Sequence, residues 1–563
     1  MKFLQSILFL SLFFCFSLKA EERSCERVYV YTDKDCYVSG EDIWLKFYVV
    51  DGNFQPSVLS KVGYVEICDT EKPQIQLKLA LEKGQGAGRM RIPMELPSGV
   101  YQLSGYTRYM RNEGENVFFK KLIAVVNAGQ QFPDSKRFRL IEKYDTARYC
   151  GFDPQPLSCE STKLSIKTDR NQYGNRNKVL LSLDNIPDNT ANLVISVSRN
   201  DSIALLPEVK PEWLKPVTGN NFQSSQQWLP EYEGHIVTGR LVPEPQEQLL
   251  SGIALMGNDI RYFNGQLNLQ TGISSFYTAG IYGKQQIVTS ATSLLYDKVP
   301  YRVDLLTPFD ESLPDSLPVL QIYPNEKSLL ERYIGVQIQE KMDNDSLDNS
   351  IQTPNYCSFQ PILSYDLDEY TRFSTISETI LEFVSFVHVT KVKDKRIISA
   401  YSNNLQRNGF GTLVLLDGIP IYDHEEILRY NPMFIKKINI YEGGYMFGGE
   451  NFEYIVSFVT RDGNLPFFQL GDGAQLFNYD FPQLPSLMKI PDYSIDEIRN
   501  SRKPDFRHTL YWNPFVEFTT GQPVNLSFYT SDLSGEFKVT VEGITTDGKI
   551  IHGVSYFQVS TKN

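Results

Sequence analysis

The chain has 563 residues and a formal net charge of −12 at pH 7, and 22% of its residues are charged. An acidic chain repels the phosphate backbone of nucleic acids, so we expect no nucleic-acid partner. The length is enough for about three to five domains of about 100 to 200 residues each, and the 33 Tyr and 35 Phe residues favour β-strands.

The first twenty residues have the layout of a secretory signal peptide. Lys2 precedes an apolar run from Phe3 to Phe16, and Ser17-Leu-Lys-Ala20 follows it. We therefore predict a signal peptide at residues 1–20 and an exported chain. No later segment has the roughly 18 to 20 unbroken apolar residues of a membrane helix, so any membrane association is expected to be peripheral.

Six cysteines follow the predicted signal peptide, and an exported chain can form disulfides. The close pairs Cys25/Cys36 and Cys150/Cys159 are candidates for disulfides that each staple a local loop. Six cysteines still allow fifteen full connectivities, and the two at positions 68 and 357 are as well explained by buried or unpaired thiols.

The first predicted domain covers residues 21–130. Residues 28–37 and 39–48 have the pattern of two strands joined by a turn with a glycine, and residues 96–107 that of a turn leading into an alternating strand. This order of motifs resembles the macroglobulin-type (MG2-like) domain of bacterial relatives of alpha-2-macroglobulin. The resemblance implies a β-sandwich.

A second copy of the opening pattern begins 136 positions later, because Thr-Asp-basic-x-x-Tyr at residues 32–37 recurs at 168–173. Alternating strands follow it, so we predict a second macroglobulin-like sandwich at residues 160–231. The repeated Asp33 and Asp169 are conceivable metal or substrate ligands. An Asp beside a turn commonly accepts hydrogen bonds from its own backbone, and we favour this structural role.

Residues 232–318 contain three alternating segments with hairpin glycines, at 234–241, 250–255 and 271–276. They predict a small seven-stranded sandwich, and they resemble the carboxypeptidase-regulatory-like domain found in envelope proteins. His235 has no second histidine within 150 residues, so we interpret it as a strand residue and not as a metal ligand.

Residues 319–366 are predicted to form a helix and an acidic linker. The apolar positions of residues 325–334 have helical spacing, and Asn325 is a suitable N-cap. The acidic stretch at 343–348 lacks the central glycine and the closing glutamate of a calcium loop, so a solvated linker is favoured.

Residues 367–468 carry a capping box at 375–378 and three further segments, 413–421, 434–442 and 455–463. These segments resemble the plug domain of TonB-dependent outer-membrane transporters, with its Asp-Gly-x-Pro turn. One hundred residues follow Gly463, too few for eight strands of about ten residues with their loops. We therefore expect a small α+β plug-like domain without a barrel.

Two features of this region are candidates for binding. Asp417 and Gly418 are better explained by the turn itself than by contact with a siderophore or a TonB protein. Aromatic residues in the neighbouring segments are better candidates, because exposed aromatics anchor protein partners. The predicted interaction surface consists of Tyr422, Tyr430, Tyr441, Tyr445 and Phe447.

Residues 469–563 are predicted to form a closing C-terminal β-domain. This tail and the phrase at 366–373 resemble a multidomain envelope family of Bacteroidota. The resemblance implies a location in the periplasm or at the outer membrane.

Sequence motifs for catalysis are absent. The five histidines have no metal-binding spacing, and no nucleophile elbow, phosphate loop or dinucleotide fingerprint occurs. The Cys-Gly-Glu-Gln thioester of protease-trapping macroglobulins is also missing, since its nearest approach is Cys150-Gly-Phe-Asp. We expect no catalytic residue, no metal and no cofactor.

The sequence thus predicts a mainly β, multidomain chain with tandem macroglobulin/Ig-like β-sandwiches and a small α+β plug-like domain. Its predicted function is that of a non-enzymatic envelope scaffold that docks envelope proteins, an outer-membrane barrel among the candidates. Two alternatives stay open: an accessory of nutrient transport acting with a separate barrel, and an enzyme whose paired carboxylates escape a motif search.

Overall fold

The structure is a computed structural model, and it confirms the predicted fold class: the chain is mainly β and has several sheets. It describes residues 25–127, 129, 136–141, 164–201, 203–206, 228–257, 260–293, 300–323, 325–346, 360–392, 394–400, 411–447, 450–471, 473–519 and 521–560. Within these ranges the side chains at 339, 341–346, 392, 446, 447 and 450 are not described.

The first sandwich is built from eight strands. They are β1 (Glu26–Thr32), β2 (Cys36–Val38), β3 (Asp42–Asp51), β4 (Val62–Cys68), β5 (Pro73–Ala80), β6 (Gln85–Arg91), β7 (Gly99–Tyr106) and β8 (Phe119–Val126). One sheet has the order β1-β3-β6 and the other the order β2-β8-β7-β4-β5. Large side chains such as Tyr29, Phe47 and Tyr101 fill the space between the sheets.

The rest of the chain contributes 25 strands and four α-helices within the described ranges. Strands up to residue 322 are β9 (Phe138–Leu140), β10 (Ser165–Thr168), β11 (Gln172–Tyr173), β12 (Lys178–Asp184), β13 (Thr190–Arg199), β14 (Ala204–Leu205), β15 (His235–Val242), β16 (Leu250–Leu255), β17 (Tyr262–Asn268), β18 (Ile273–Thr278), β19 (Lys284–Thr292), β20 (Arg302–Leu305) and β21 (Leu320–Ile322).

Next come α1 (Glu326–Ser346), β22 (Leu363–Asp366), α2 (Ile376–Phe383), β23 (Val387–Val392), β24 (Lys395–Ala400), β25 (Thr412–Leu416), β26 (Ile419–Pro420), α3 (His424–Leu428), β27 (Ile435–Phe447) and β28 (Glu450–Thr460). The last elements are β29 (Gln475–Asp480), α4 (Asp496–Arg499), β30 (Thr509–Asn513), β31 (Val524–Tyr529), β32 (Gly535–Thr545) and β33 (Ile550–Val559).

The second sandwich is assembled from two distant parts of the chain. Its sheets have the orders β10-β12-β31 and β11-β33-β32-β13-β30, so β10–β13 pair with β30–β33. The prediction that residues 160–231 and 469–563 form two separate domains is therefore wrong. Strands from both segments are needed to build each sheet of this one sandwich. Val179 and Ile195 of the first segment pack with Phe537 and Phe557 of the last.

The seven-stranded sheet is also completed from a distance. Its order is β20-β15-β18-β17-β16-β19-β29, so residues 232–318 supply six strands and β29 supplies the seventh. The first part of β17, Tyr262–Asn264, pairs with β16, and the second part, Gly265–Asn268, pairs with β18. A Cβ at Gly265 of β17 would overlap the hydroxyls of Ser251 and Ser274, so only glycine fits.

The segment from β22 to β28 forms an α+β unit, hereafter the plug-like unit. Its sheet has the order β22-β27-β28-β25-β26, and the β23/β24 hairpin, α2 and α3 pack beside it. The predicted capping box is present, since Thr375 accepts from the Glu378 N–H and Glu378 accepts from the Thr375 N–H. This unit is an insertion in the sequence between β20 and β29 of the seven-stranded sheet. The seven-stranded sheet is itself inserted in the sequence between β13 and β30 of the second sandwich. We call this order along the chain the nested fold.

Helix α1 begins as predicted, because the Ser328 N–H donates to the Asn325 side chain. It continues to Ser346 and thus replaces the first part of the predicted acidic linker. Residues 337–342 are Gln-Ile-Gln-Glu-Lys-Met, which have good helix propensity on the whole and carry the helix onward.

The cysteines do not follow the predicted local pairing. Cys25 and Cys36 are free thiols. Strand β1 lies between them, and seven extended residues span about 23 Å, whereas a disulfide needs Cα atoms within about 7 Å. Cys150, Cys159 and Cys357 lie outside the described residues.

Candidate interaction surface

Tyr430 is a core residue, and the prediction that it belongs to the interaction surface is wrong. It is 8% exposed, and its hydroxyl donates to the Pro466 carbonyl at 2.5 Å. Its ring lies 5.9 Å from Phe434 and 5.8 Å from Phe468, centroid to centroid. Burial raises the pKa of Tyr430 to about 12. Tyr430 therefore holds the segment around Pro466, which follows β28, close to α3.

Three other predicted residues come together on one face of the plug-like sheet. Tyr441 is 6% exposed and packs in a cluster with Leu413, Leu415, Phe452 and Ile455. Tyr422 and Tyr445 are half-buried against the same cluster. The prediction that Tyr441 is exposed is wrong, because β27 places it under its neighbours. The side chain of Phe447 lies outside the described part of the chain.

This face exists because the last four residues of β25, Leu413-Val-Leu-Leu416, are all apolar. Strand alternation turns Val414 and Leu416 toward the side that α2 and α3 cover, and Leu413 and Leu415 toward the other side. Tyr262 of the seven-stranded sheet covers part of that second side. The contribution of Tyr262 could not be inferred from its own segment, since Tyr262 is 160 positions from Tyr422 in the sequence. We call Tyr262, Tyr422, Tyr441 and Tyr445 the aromatic face.

The outer strand of this face has a partly unpaired edge. β22 pairs with β27 only from Lys437 to Ile440. Beyond that point β27 pairs with β28 alone in the described part of the chain. The β27/β28 pairing shifts register between Glu442 and Tyr445, a bulge that twists an edge away from regular pairing. In the described part of the chain, β28 is therefore the only strand paired with β27 beyond Ile440.

Asp417 has the structural role that the turn predicted. It has a φ of 47° and Gly418 a φ of 80°, as required for the tight link between β25 and β26. Its carboxylate is fully buried and accepts from the Thr460 N–H at 2.7 Å, the Thr460 hydroxyl at 2.6 Å and the Leu465 N–H at 2.9 Å. The side chain therefore ties this turn to the end of β28 and is not available to a ligand.

A cleft lies between the plug-like unit and the seven-stranded sheet, beside Tyr422 of the aromatic face. It has a free volume of about 70 Å³, and its floor includes Ala254 and Val288. Ile421, Tyr422 and Phe468 contribute to the opposite wall, with Asp423 and Glu426 at the polar rim. Ala254 and Val288 also belong to the apolar core of the plug-like unit, so the unit is packed firmly against the sheet.

His235 lies in a buried polar cluster, which the sequence did not indicate. Its Nδ1 lies 2.9 Å from Glu231, its Nε2 lies 2.7 Å from the Tyr479 hydroxyl, and Tyr64 donates to the same Glu231. Burial, reinforced by the nearby Lys78 ammonium, lowers the pKa of His235 to about 4. The neutral ring donates to Glu231 and accepts from Tyr479. Because Glu231 and His235 are each only 1% exposed, the cluster is structural.

In the described residues, no group of three or more His, Cys, Asp or Glu side chains is placed to hold a metal ion. Among the helices of the same ranges, none combines the length and the apolar character needed to cross a bilayer.

Comparison with known proteins gives only distant structural matches. No family model matches the chain, and no curated protein matches it. The native conformation of E. coli alpha-2-macroglobulin aligns at 10% identity with a TM-score of 0.24, over 96% of this chain and 40% of that one. Salmonella alpha-2-macroglobulin reacted with methylamine aligns at 9% identity and a TM-score of 0.24, over 95% and 39%.

Dimeric latent PorU from Porphyromonas gingivalis aligns at 8% identity and a TM-score of 0.14, over 96% and 34%. The chain thus spans about 40% of the length of the alpha-2-macroglobulins it matches. At these TM-scores the matches carry no argument about function.

Proposed function

We propose that this protein is a non-catalytic, exported binding protein of a bacterial envelope, and that it docks another envelope protein on the aromatic face. The single observation that carries the proposal is the half-burial of Tyr422 and Tyr445 next to the part of β27 that pairs, in the described residues, with β28 alone. Tyrosines that present an apolar ring and a polar tip are the side chains most suited to anchor a protein partner.

The surroundings of the face favour a partner segment of a particular chemistry. Asp423 and Glu426 line the neighbouring cleft together with Tyr422, so this side of the face is acidic. A strand edge offers backbone hydrogen bonds to an extended segment, and complementary charge selects the segment. We therefore propose an extended segment with apolar side chains and flanking Lys or Arg as the occupant.

The nested fold supports a scaffold role. The aromatic face is formed by two units, since Tyr262 comes from the seven-stranded sheet and Tyr422 from the plug-like unit. Both units are held by shared apolar packing, so the face is organised before a partner arrives. Preorganisation lowers the entropy that binding costs.

Cross-linking in the native host, followed by affinity purification and mass spectrometry, tests the proposal. The double variant Tyr422→Ser/Tyr445→Ser should recover the partner at least tenfold less well than the unchanged chain. Tyr232→Ser, an equally drastic change at an exposed tyrosine outside the face, should recover it normally. Thermal unfolding of the purified variants checks that all three are folded.

Equal recovery by the double variant would contradict docking at this face. Recovery of an outer-membrane barrel as the partner would assign the protein to the accessories of nutrient transport.

A further inference from the structure

A second, charged cleft lies where the first sandwich, the second sandwich and α1 meet. We call it the junction cleft. Tyr31 and Asp35 line it from the first sandwich, Ser198 and Lys538 from the second, and Arg332 from α1. Its free volume of about 60 Å³ has room for about four water molecules. The cleft is remote in sequence from the aromatic face and shares no residue with it.

The floor of the junction cleft is the outer face of the five-stranded sheet of the second sandwich. Ser198 of β13 pairs directly with Lys538 of β32. Because side chains alternate along a strand, Lys538 and Thr540 point to this face, whereas Val539 and Val541 point into the core. The sequence thus places one lysine in the middle of a polar floor.

Lys538 is the exception among the lysines and arginines of the cleft. The others are each bound to a carboxylate: Lys34 to Glu41 at 3.0 Å, Lys121 to Asp35 at 2.6 Å, Arg199 to Glu331 at 2.6 Å and Arg332 to Asp201 at 2.5 Å. Lys538 is half-buried, and no carboxylate of the described residues lies within 4.0 Å of its ammonium.

The carboxylates of the cleft are poorly placed to neutralise Lys538. Asp33 accepts from the Tyr37 and Thr509 hydroxyls, and Asp35 and Asp201 are already paired with the cations just named. Glu542 accepts from the Tyr29 hydroxyl, and it is four positions along β32 from Lys538, about 13 Å away for an extended strand. A half-buried positive charge without a partner gains most from an anion that enters from solvent.

We infer that the junction cleft binds a small oxyanion, with the Lys538 ammonium as its charge partner and the Ser198 hydroxyl as a neighbouring donor. The free volume suits a group the size of phosphate or carboxylate. Such a group comes either from a free ion or from a carboxylate of another polypeptide, and both present the same chemistry to Lys538.

Isothermal titration calorimetry of the full chain with inorganic phosphate, at constant ionic strength set with chloride, is the first test. The unchanged chain should bind one phosphate saturably. Lys538→Met should weaken binding at least tenfold, and Ser198→Ala about threefold. Lys284→Met removes an exposed lysine far from the cleft and should leave binding unchanged.

A second titration separates the two sources. A short peptide with a free terminal carboxylate is compared with the same peptide carrying a terminal amide. Tighter binding of the free-acid peptide than of phosphate assigns the cleft to a polypeptide carboxylate, and the reverse assigns it to a free ion. If Lys538→Met does not fold, Lys538→Gln and Ser198→Ala decide the matter. Binding of neither probe, or equal binding by the Lys538 and Lys284 variants, overturns the inference.

Discussion

The two copies of the Thr-Asp-basic-x-x-Tyr turn form the same local bonds in different surroundings. The Tyr37 hydroxyl donates to Asp33 at 2.8 Å, and the Tyr173 hydroxyl donates to Asp169 at 2.7 Å. In each copy the Asp also accepts a backbone N–H from eleven positions onward. The repeat is therefore a fold element, and neither Asp is placed as a metal ligand.

The copies differ in what lies beyond the turn. The second carboxylate oxygen of Asp33 accepts from the Thr509 hydroxyl at 2.6 Å, and the Asp33 carbonyl accepts from Ser196 at 3.0 Å. Both partners belong to the second sandwich. Asp169 instead faces solvent beside Arg170. The same six-residue pattern thus makes an ordinary turn in the second sandwich and a link between sandwiches in the first.

Because their surroundings differ, the pKa values of Asp33 and Asp169 shift in opposite directions. Burial raises the pKa of Asp33, and this outweighs the opposing effects of Lys34, Thr509 and Tyr37. Burial also acts on Asp169, but the Leu180 N–H and the Tyr173 hydroxyl outweigh it, so the pKa of Asp169 is lowered.

The largest expected difference between the copies is in stability. Asp33→Ala leaves the buried Trp44 N–H and Thr509 hydroxyl without an acceptor, whereas the Tyr37 hydroxyl keeps the Lys34 carbonyl, and it should lower the free energy of unfolding by about 3 kcal/mol. Asp169→Ala should lower it by about 1 kcal/mol, since water replaces the lost acceptor. Urea unfolding of both variants measures the difference, and equal losses would remove the distinction between the copies.

A smaller change should make the first copy resemble the second. Thr509→Val removes the donor from the second sandwich but keeps the local turn, and should lower the free energy of unfolding by about 1 to 2 kcal/mol because Asp33 loses one buried partner. Thr168→Val, which removes a hydroxyl bond inside the exposed copy, is the matched control and should cost less than about 1 kcal/mol. Unfolding midpoints in urea compare the two, and a larger loss in the control would contradict the account.

The smallest expected effect is on the pH dependence of stability, to which Asp33 and Asp169 should contribute with opposite sign. With a raised folded pKa, Asp33 binds its proton more tightly in the folded chain, so the unchanged chain should gain stability over Asp33→Asn as the pH falls from about 7 to about 4. With a lowered folded pKa, Asp169 stabilises above about pH 4, so the advantage over Asp169→Asn should shrink as the pH falls further. Parallel curves for the two pairs would contradict the assigned directions.

Local features were predictable because neighbouring residues determine them. The capping box at Thr375, the Asn325 cap and the turn at Asp417 all follow from side chains within a few positions of the bonds they make. The same holds for the repeated turns at Asp33 and Asp169.

Long-range assembly was not predictable from period and composition. β13 pairs with β32 across more than 300 residues, and β29 completes a sheet that begins at β20, yet each strand has an ordinary alternating pattern. The same limit explains Tyr441, which was predicted to be an exposed loop aromatic but lies in β27 and is buried by its neighbours on adjacent strands. Tyr262 was missed because its partners come from another unit.

The most direct test of the nested fold is hydrogen exchange of the chain truncated after residue 504, compared with the full chain. Truncation removes β30–β33, so the amides of Lys178–Asp184 and Thr190–Arg199 should lose their protection while those of the first sandwich keep theirs. Undiminished protection in β12 and β13 would show that residues 160–231 fold on their own, and would contradict a second sandwich built from both ends of the chain.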